Sequence, residues 1–361
     1  MKKKHLFLGC LTVWLAFVAF ERLYEEQIHQ WFQQPIETAQ SKEELESVEE
    51  VAAIANEDTF SEPSTMLAEH EQFLGLSANE MIMEFGEPTR IDLSAYGYDW
   101  WIYPLSEDSY MQIGIEDEEV VTVFLTGDIR EKSFSLGQTY EEINELIDFQ
   151  NYVDVRTGDG GVYQFELTSD DVKMRPLAKV DGNWIQFYFD THTNELSSMR
   201  MLDEEVLVKQ RPYSVSYIGA APKRPSFSVE DWAKIEAGNA QQIFDYTNVI
   251  RSRHHLKSFI WEGDVANIAY QHSKDMSENH YFSHTSPTNG EVMDRFKKEN
   301  VSFRLAGENI AAKYIDGIAS VEGWLNSEGH RVNLLHEEFT HLGVGVFQEH
   351  YTQNFMTPWQ L

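Results

Sequence analysis

The sequence is short of cysteine and of basic residues. Cys10 is the only cysteine among 361 residues. No disulfide can therefore form within the chain, and packing alone must hold any exported part. Only 28 Lys and Arg accompany 60 Asp and Glu, which gives a formal net charge of −32 at pH 7. Because nucleic acid requires a basic face for its phosphates, this composition predicts no nucleic-acid partner.

A single long apolar run is present, and it lies at the N-terminus. Three lysines at residues 2–4 precede the apolar residues 6–20, a pattern typical of an export signal that sends the rest of the chain outward. The run is short for a bilayer span, which takes about 20 residues. Bulky Phe17 stands where a cleaved signal needs a small residue. Residues 1–22 are predicted to be a signal peptide or a signal anchor. The protein is expected to be extracytoplasmic, either secreted or tethered to the membrane through residues 6–20.

Two segments are predicted to connect more regular parts of the chain. Residues 23–72 are polar and strongly acidic, which indicates a stalk or linker. Residues 211–238 contain Pro212, Pro222 and Pro225, a punctuation that disfavours one regular element and indicates a second linker.

Residues 73–210 show an internal repeat. The segment LGLS at 74–77 leads into a helical stretch, and LGQT at 136–139 does so again 62 residues later. Short aromatic and β-branched alternations follow each helix. Two copies of a helix followed by antiparallel strands predict an α+β domain.

The pattern changes to helical spacing in residues 239–361. Apolar residues recur three and four positions apart in several stretches, and Leu342, Val344 and Val346 form a late strand-like alternation. Helices interleaved with late strands predict an α-β-α sandwich.

This C-terminal part carries ordered motifs over about 120 residues. They are Asn248, Arg251, Trp261, SKDM at 273–276, YFSHTSP at 281–287, AGENIA at 306–311, WLNSEGHRVNLL at 324–335, FTHLGVG at 339–345 and YTQNF at 351–355. In this order they resemble a bacterial CAP domain, of the superfamily of cysteine-rich secretory proteins, antigen 5 and pathogenesis-related 1 proteins. Residues 73–210 resemble the CAP-associated N-terminal domain of Bacillus-type proteins.

The resemblance implies a cleft with two histidines and two glutamates. His284, Glu308 and His330 match three of these positions, and they are the candidates for catalysis and for a divalent metal such as zinc. Imidazole and carboxylate suit both zinc and proton transfer. The fourth position departs from the pattern, because Ser327 stands where many eukaryotic members have glutamate. Glu328 is the expected replacement.

Two further residues are candidates for the cleft. Glu322 is a more distant alternative to Glu328 for the fourth position. Asn309, next to Glu308 in the sequence, is included among the cleft residues, with the expectation that it holds loops together. Neither Ser283 nor Ser327 has the surrounding glycines of a nucleophile elbow, which disfavours a serine hydrolase.

Three functions remain open at this point, since one fold hosts many activities. The first is an exported cell-envelope protein without proven catalysis, whose cleft binds a lipid, peptide or protein ligand, or a metal. The second is a hydrolase that acts on peptide or cell-wall material through metal-activated or histidine-activated water. The third is a structural surface protein with an inert cleft. Whether the protein is an enzyme is not decided by the sequence.

Overall fold

The computed structural model describes residues 73–127, 134–218 and 223–359. The predicted signal or anchor and the acidic stalk lie outside these residues. Within the described ranges, no helix combines the length and the apolar character needed to cross a bilayer.

The first part of the described chain is built on a seven-stranded antiparallel sheet, in the order β1-β2-β3-β4-β9-β8-β7. Its elements are α1 (Ala78–Phe85), β1 (Arg90–Leu93), β2 (Asp99–Pro104), β3 (Tyr110–Glu116), β4 (Glu119–Thr126), α2 (Tyr140–Ile147), β5 (Tyr152–Arg156), β6 (Val162–Glu166), α3 (Ser169–Met174), β7 (Leu177–Val180), β8 (Asn183–Asp190), β9 (Glu195–Leu202) and α4 (Glu204–Gln210). The α+β fold with antiparallel strands is thus confirmed.

The predicted internal repeat is visible in the backbone. Ser77 and Thr139 begin α1 and α2 with the same capping box, in which Glu80 and Glu142 reach back to the cap. Each box satisfies backbone donors that the first turn leaves free. Strands β2–β4 and β7–β9 each form a three-stranded meander, and the two copies join where β4 pairs with β9.

The segment 211–238 is more regular than its prolines suggested. Strand β10 (Ser214–Ile218) pairs with β6, which also pairs with β5, in a separate three-stranded sheet. Helix α5 (Val229–Arg253) begins in the same segment, because Ser228 and Asp231 form a capping box. Strand pairing and capping therefore shorten the irregular connection at both ends.

After α5, the C-terminal part contains β11 (Ile260–Trp261), α6 (Gly263–Glu278), α7 (Val292–Lys298), β12 (Leu305–Ala312), α8 (Gly317–Leu325), α9 (Glu328–Leu334), β13 (His341–Phe347) and β14 (His350–Thr357). Its strands form a four-stranded sheet in the order β11-β13-β14-β12. Thr352 contacts Ser273 of α6, whereas the next residue, Gln353, donates to Thr247 of α5. Adjacent strand residues point to opposite faces, so helices cover both faces. The predicted α-β-α sandwich is confirmed.

The two parts share one apolar cluster across their boundary. Phe124 of β4 packs edge-on against Tyr246 of α5, with ring centroids 5.1 Å apart. Tyr98, Ile243 and Trp324 belong to the same cluster of buried residues. The boundary between the domains is therefore a packed interface.

Polar side chains are also buried at this boundary. Arg200 of β9 has no exposed side-chain surface and binds Asp316, with Nη2 2.8 Å from Oδ2. Glu322 of α8 accepts hydrogen bonds from Ser198 and Tyr246. Buried polar groups require partners, and because the bonds of Arg200 to Asp316 and of Ser198 to Glu322 cross the boundary, they fix one relative position of the two parts.

Candidate functional site: a carboxylate–histidine cleft

Glu308 lies on strand β12 and is the buried centre of the site. Its side chain is 3% exposed, and its backbone pairs with Asn354 of β14. Paired residues of neighbouring strands lie on the same face of a sheet. The side-chain oxygen of Asn354 accepts from the backbone N–H of Ala269 in α6 at 3.3 Å, so Glu308 also lies on the face that α6 covers. In the amide orientation that these neighbours favour, Asn354 Nδ2 also donates to Glu308 Oε2 at 3.1 Å.

His284 lies in the loop between α6 and α7 and binds Glu308 directly. Its Nδ1 is 2.9 Å from Glu308 Oε1, and its side chain is 36% exposed. An ionised carboxylate only accepts hydrogen bonds, so Nδ1 carries the proton in this pair. The other ring nitrogen, Nε2, is then left as the proton acceptor of the neutral ring.

The loop that carries His284 is held by hydrogen bonds on both sides. Asp275 of α6 accepts from Ser286 Oγ at 2.6 Å and from Tyr281 OH at 2.5 Å. Arg295 of α7 donates from Nη1 to the carbonyl of His284 at 3.0 Å. Because α6 and α7 both fix the loop, the orientation of His284 is set before any ligand arrives.

Arg295 also neutralises Glu308. Its Nη2 donates to Glu308 Oε2, and its own side chain is 5% exposed. Burial acts to raise the pKa of Glu308, but the hydrogen bond from His284 and the positive charge of Arg295 outweigh it. The net result is a pKa below the ordinary value, so Glu308 is ionised at neutral pH.

His272 of α6 is a further member of the site. It is 1% exposed, its Nε2 donates to the carbonyl of Ser283 at 3.1 Å, and the same nitrogen is 3.9 Å from Glu308 Oε1. Burial lowers its pKa to about 4. Neither His272 nor Arg295 was predicted from the sequence. His272 lies between Ile268 and Met276 on the apolar face of α6. A histidine at an otherwise apolar position of a helix is the feature from which its burial could have been predicted.

His330 lies on α9 and is neutral. Its Nδ1 is 2.8 Å from Ser327 Oγ. Burial, followed by the nearby charge of His284, lowers the pKa of His330 to about 4. That the two imidazoles face one cleft stays a prediction from the sequence.

The amide residues beside the cleft connect its elements. Asn309 is fully buried, and its Nδ2 donates to the carbonyl of His330 and to Gln353. Asn333 donates to the carbonyl of Glu308 at 3.1 Å and to Asn309 Oδ1 at 3.0 Å. Asn309 therefore positions α9 against β12, and its buried amide does not face a ligand.

The fourth cleft position is occupied differently from the expectation. Glu328 is exposed at the first position of α9, and it forms no hydrogen bond with His284 or Glu308. Glu322 is buried at the domain boundary, bound to Ser198. Ser327, in the position where eukaryotic members have glutamate, instead contacts His330. Neither carboxylate completes a tetrad with His284 and Glu308.

The neighbouring domain holds the segment that leads to His330. Asp190, at the end of β8, pairs with Arg331 at 2.8 Å, and both side chains are largely buried. Asn326 accepts from the backbone N–H and the hydroxyl of Thr191, each at 2.8 Å. These contacts lie on either side of Ser327 and His330, so the N-terminal domain is part of the support of the cleft.

The arrangement does not fit Glu308 as a ligand of zinc. Its two oxygens are engaged by His284 and Arg295, and the guanidinium already supplies the positive charge. Among the residues that the structure describes, no three His, Cys, Asp or Glu side chains form a group able to hold a metal ion. Structural zinc takes four ligands and catalytic zinc takes three. The predicted set of His284, Glu308 and His330 does not provide them.

Comparison with known proteins identifies the family. Residues 244–357 match the cysteine-rich secretory protein family, and residues 74–213 match the CAP-associated N-terminal family. The uncharacterised membrane protein YlbC of Bacillus subtilis (strain 168) is 46% identical over 288 residues, 80% of this chain and 83% of that protein. The chain belongs to the cysteine-rich secretory protein family. Its C-terminal part is a CAP domain, and its first part is a CAP-associated domain.

Solved structures agree with this assignment. The crystal structure of an extracellular protein with an SCP domain from Bacillus anthracis is 41% identical, with a TM-score of 0.76 over 85% of this chain and 99% of that one. A cysteine-rich secretory protein from Staphylococcus aureus, at 23% identity and a TM-score of 0.71, covers 79% of this chain and 91% of its own, and it shares the fold. The CAP and CAP-associated domains thus occur together elsewhere.

The neutral histidines of the CAP domain should make its stability depend on pH. In the unfolded chain His272 and His330 take up a proton near pH 6.5, whereas in the folded protein they do so only near pH 4. The unfolded state binds more protons between these values, so stability is complete above about pH 6.5 and falls as the pH is lowered towards 4. Each histidine should lower the free energy of unfolding by about 2 kcal/mol between pH 7 and pH 5.

Urea unfolding at pH 7 and pH 5 measures this effect. His330→Asn and His272→Gln should each lose about 2 kcal/mol less than the parent over the same pH interval. If both variants lose as much as the parent, the two imidazoles are not held neutral.

Proposed function

We propose that this protein acts outside the cytoplasm at the cell envelope, where the CAP cleft binds a ligand through His284 and His330. The observation that carries the proposal is the preorganised pair of His284 and Glu308, in which a buried carboxylate fixes a half-exposed imidazole. The location is supported by the predicted export signal and by two relatives, one named a membrane protein and the other an extracellular protein.

The ligand is proposed to combine a polar group with an apolar part. The imidazoles of neutral His330 and of His284 can form hydrogen bonds with a polar group. Phe282, two residues before His284, is 51% exposed, and Val332, two residues after His330, is 56% exposed. Exposed apolar side chains on both cleft elements favour contact with apolar material. A lipid or a peptide of the envelope has this combination.

Replacing both histidines tests the binding proposal. Two hydrogen bonds contribute about 1–3 kcal/mol together, so His284→Ala with His330→Ala should weaken binding about tenfold or more. Fluorescent lysophospholipid and fluorescent muropeptide serve as the two probes for the full-length protein. The control is His341→Ala, since the imidazole of His341 bonds Thr340 at the start of β13. If the double variant binds both probes as tightly as the control does, the cleft is not the binding site.

A hydrolase is the second candidate, and one observation favours it. With Nδ1 bound to Glu308, Nε2 of His284 is the basic nitrogen and can take a proton from an attacking water. Mass spectrometry of the muropeptide after incubation distinguishes the two functions. A cleaved product that carries one added water, and that is absent with His284→Ala, indicates hydrolysis. Intact probe indicates binding alone.

A further inference from the structure

A cavity of about 300 Å³ lies between the CAP-associated domain and the CAP domain. It is distinct from the cleft. Its walls are built by residues of both domains, including Arg175, Tyr188, Arg211, Lys313, Tyr314 and Glu322. Small-molecule sites are commonly of at least this size and often lie at domain interfaces.

The cations of the cavity are unusual for this protein. In a chain of net charge −32, three cationic residues line one small space. Arg175 is partly compensated by Asp171 at 2.7 Å. Arg211 and Lys313 have no carboxylate within 4 Å among the described residues. No carboxylate in the described part of the chain neutralises these two cations, so their positive potential can attract an anionic ligand.

The backbone is in the left-handed conformation at both cations. Arg211 has φ 50° and Lys313 has φ 65°, and both values lie in the left-handed region that side chains other than glycine seldom adopt. Arg211 follows the end of α4, and Lys313 follows the end of β12. Two elements from different domains thus end with a cation in a left-handed conformation at the same cavity.

The remaining walls define the rest of the ligand. Tyr188 and Tyr314 contribute aromatic rings, and Met174 contributes an apolar side chain. Glu322 is the carboxylate that lines the cavity, and its Oε1 is bound by Ser198 and Tyr246. Burial raises the pKa of Glu322, so this carboxyl keeps its proton to a higher pH than an ordinary glutamate. The electrostatic repulsion between Glu322 and a bound anion is correspondingly reduced.

We propose that this cavity binds a small organic anion, with its carboxylate or phosphate at Arg211 and Lys313 and its apolar body against Tyr188 and Tyr314. The site goes beyond the proposed function of the cleft and does not depend on it.

Calorimetric titration of the full-length protein tests the proposal with three probes of similar size. Phenylacetate and phenyl phosphate carry the two anionic groups, and benzyl alcohol is neutral. At least one anion should bind, and Arg211→Asn with Lys313→Asn should weaken that binding at least tenfold. Asparagine tolerates the left-handed backbone, so the variant keeps the fold. Lys234→Asn with Lys297→Asn removes the same charge from exposed positions and should change the affinity less than twofold.

The preferred anion shows which group the cavity takes. The proposal is overturned if neither anion binds, if benzyl alcohol binds as tightly as the anions, or if both double variants lose affinity equally. The last result would mean that only the overall field of the protein matters.

Discussion

Replacing Arg200 by methionine should lower the free energy of unfolding by about 3–5 kcal/mol, because Asp316 would remain buried without its partner. Arg200 has no exposed side-chain surface, and Asp316 is 7% exposed. Asp316 also caps helix α8, where its Oδ1 accepts from the backbone N–H of Ala319 at 2.9 Å. The pair joins the CAP-associated domain to the CAP domain, so the loss should appear in the unfolding of both.

An exposed ion pair of the same chain provides the control. Arg224 binds Glu349 at 3.1 Å, with both side chains about half exposed. Arg224→Met should therefore cost less than about 1 kcal/mol. The double substitution Arg200→Met with Asp316→Leu should recover the loss except for about 1 kcal/mol from the missing cap of α8, since an apolar pair needs no charge partner. Equal costs for Arg200→Met and Arg224→Met would show that the Arg200 pair is accessible to water.

Replacing Glu308 by alanine should have a comparable effect within the CAP domain. Arg295 is 5% exposed and would lose the carboxylate that neutralises it, at a cost of about 3–5 kcal/mol. His284 would lose the acceptor that fixes its ring, so ligand binding should fall together with stability.

Glu328→Ala is the matched control for this prediction, because Glu328 is exposed on α9. It should change stability by less than about 0.5 kcal/mol. Glu308→Gln removes the charge but keeps a hydrogen-bonding oxygen, and it should fall between the two. Urea unfolding gives all three values. A loss below about 1 kcal/mol for Glu308→Ala would contradict the buried ion pair.

Local patterns explain why much of the fold could be predicted from the sequence. The two capping boxes at Ser77 and Thr139 depend on residues three positions apart, so their repetition is visible in the sequence. The alternation of Leu342, Val344 and Val346 with glycines likewise indicates a strand in the sequence. The prolines of 211–238 predicted an irregular linker, but part of this segment is a strand. The strand was not predicted because its pairing, of β10 with β6, joins residues about 50 positions apart in the sequence.

Only those site residues that belong to a sequence motif could be predicted. His284, Glu308 and His330 stand in recognisable motifs, whereas Arg295 stands on a short helix between two of them. Its role follows from where α7 packs, which the local sequence does not express. The distance between Asp190 and Arg331 along the chain hides their pairing in the same way. Glu322 could not be placed either, because its partner Ser198 belongs to the other domain and its partner Tyr246 lies 76 positions away.

The central claim is that ionised Glu308 holds His284 with its proton on Nδ1, beside a neutral His330. Nuclear magnetic resonance of the two imidazoles in ¹⁵N-labelled protein tests this claim most directly. In its neutral form, His284 should show a protonated Nδ1 and an unprotonated Nε2. His330 should remain neutral down to about pH 5, because its pKa lies near 4. A proton on Nε2 of neutral His284 with Nδ1 free, or protonation of His330 near pH 6.5, would contradict the account.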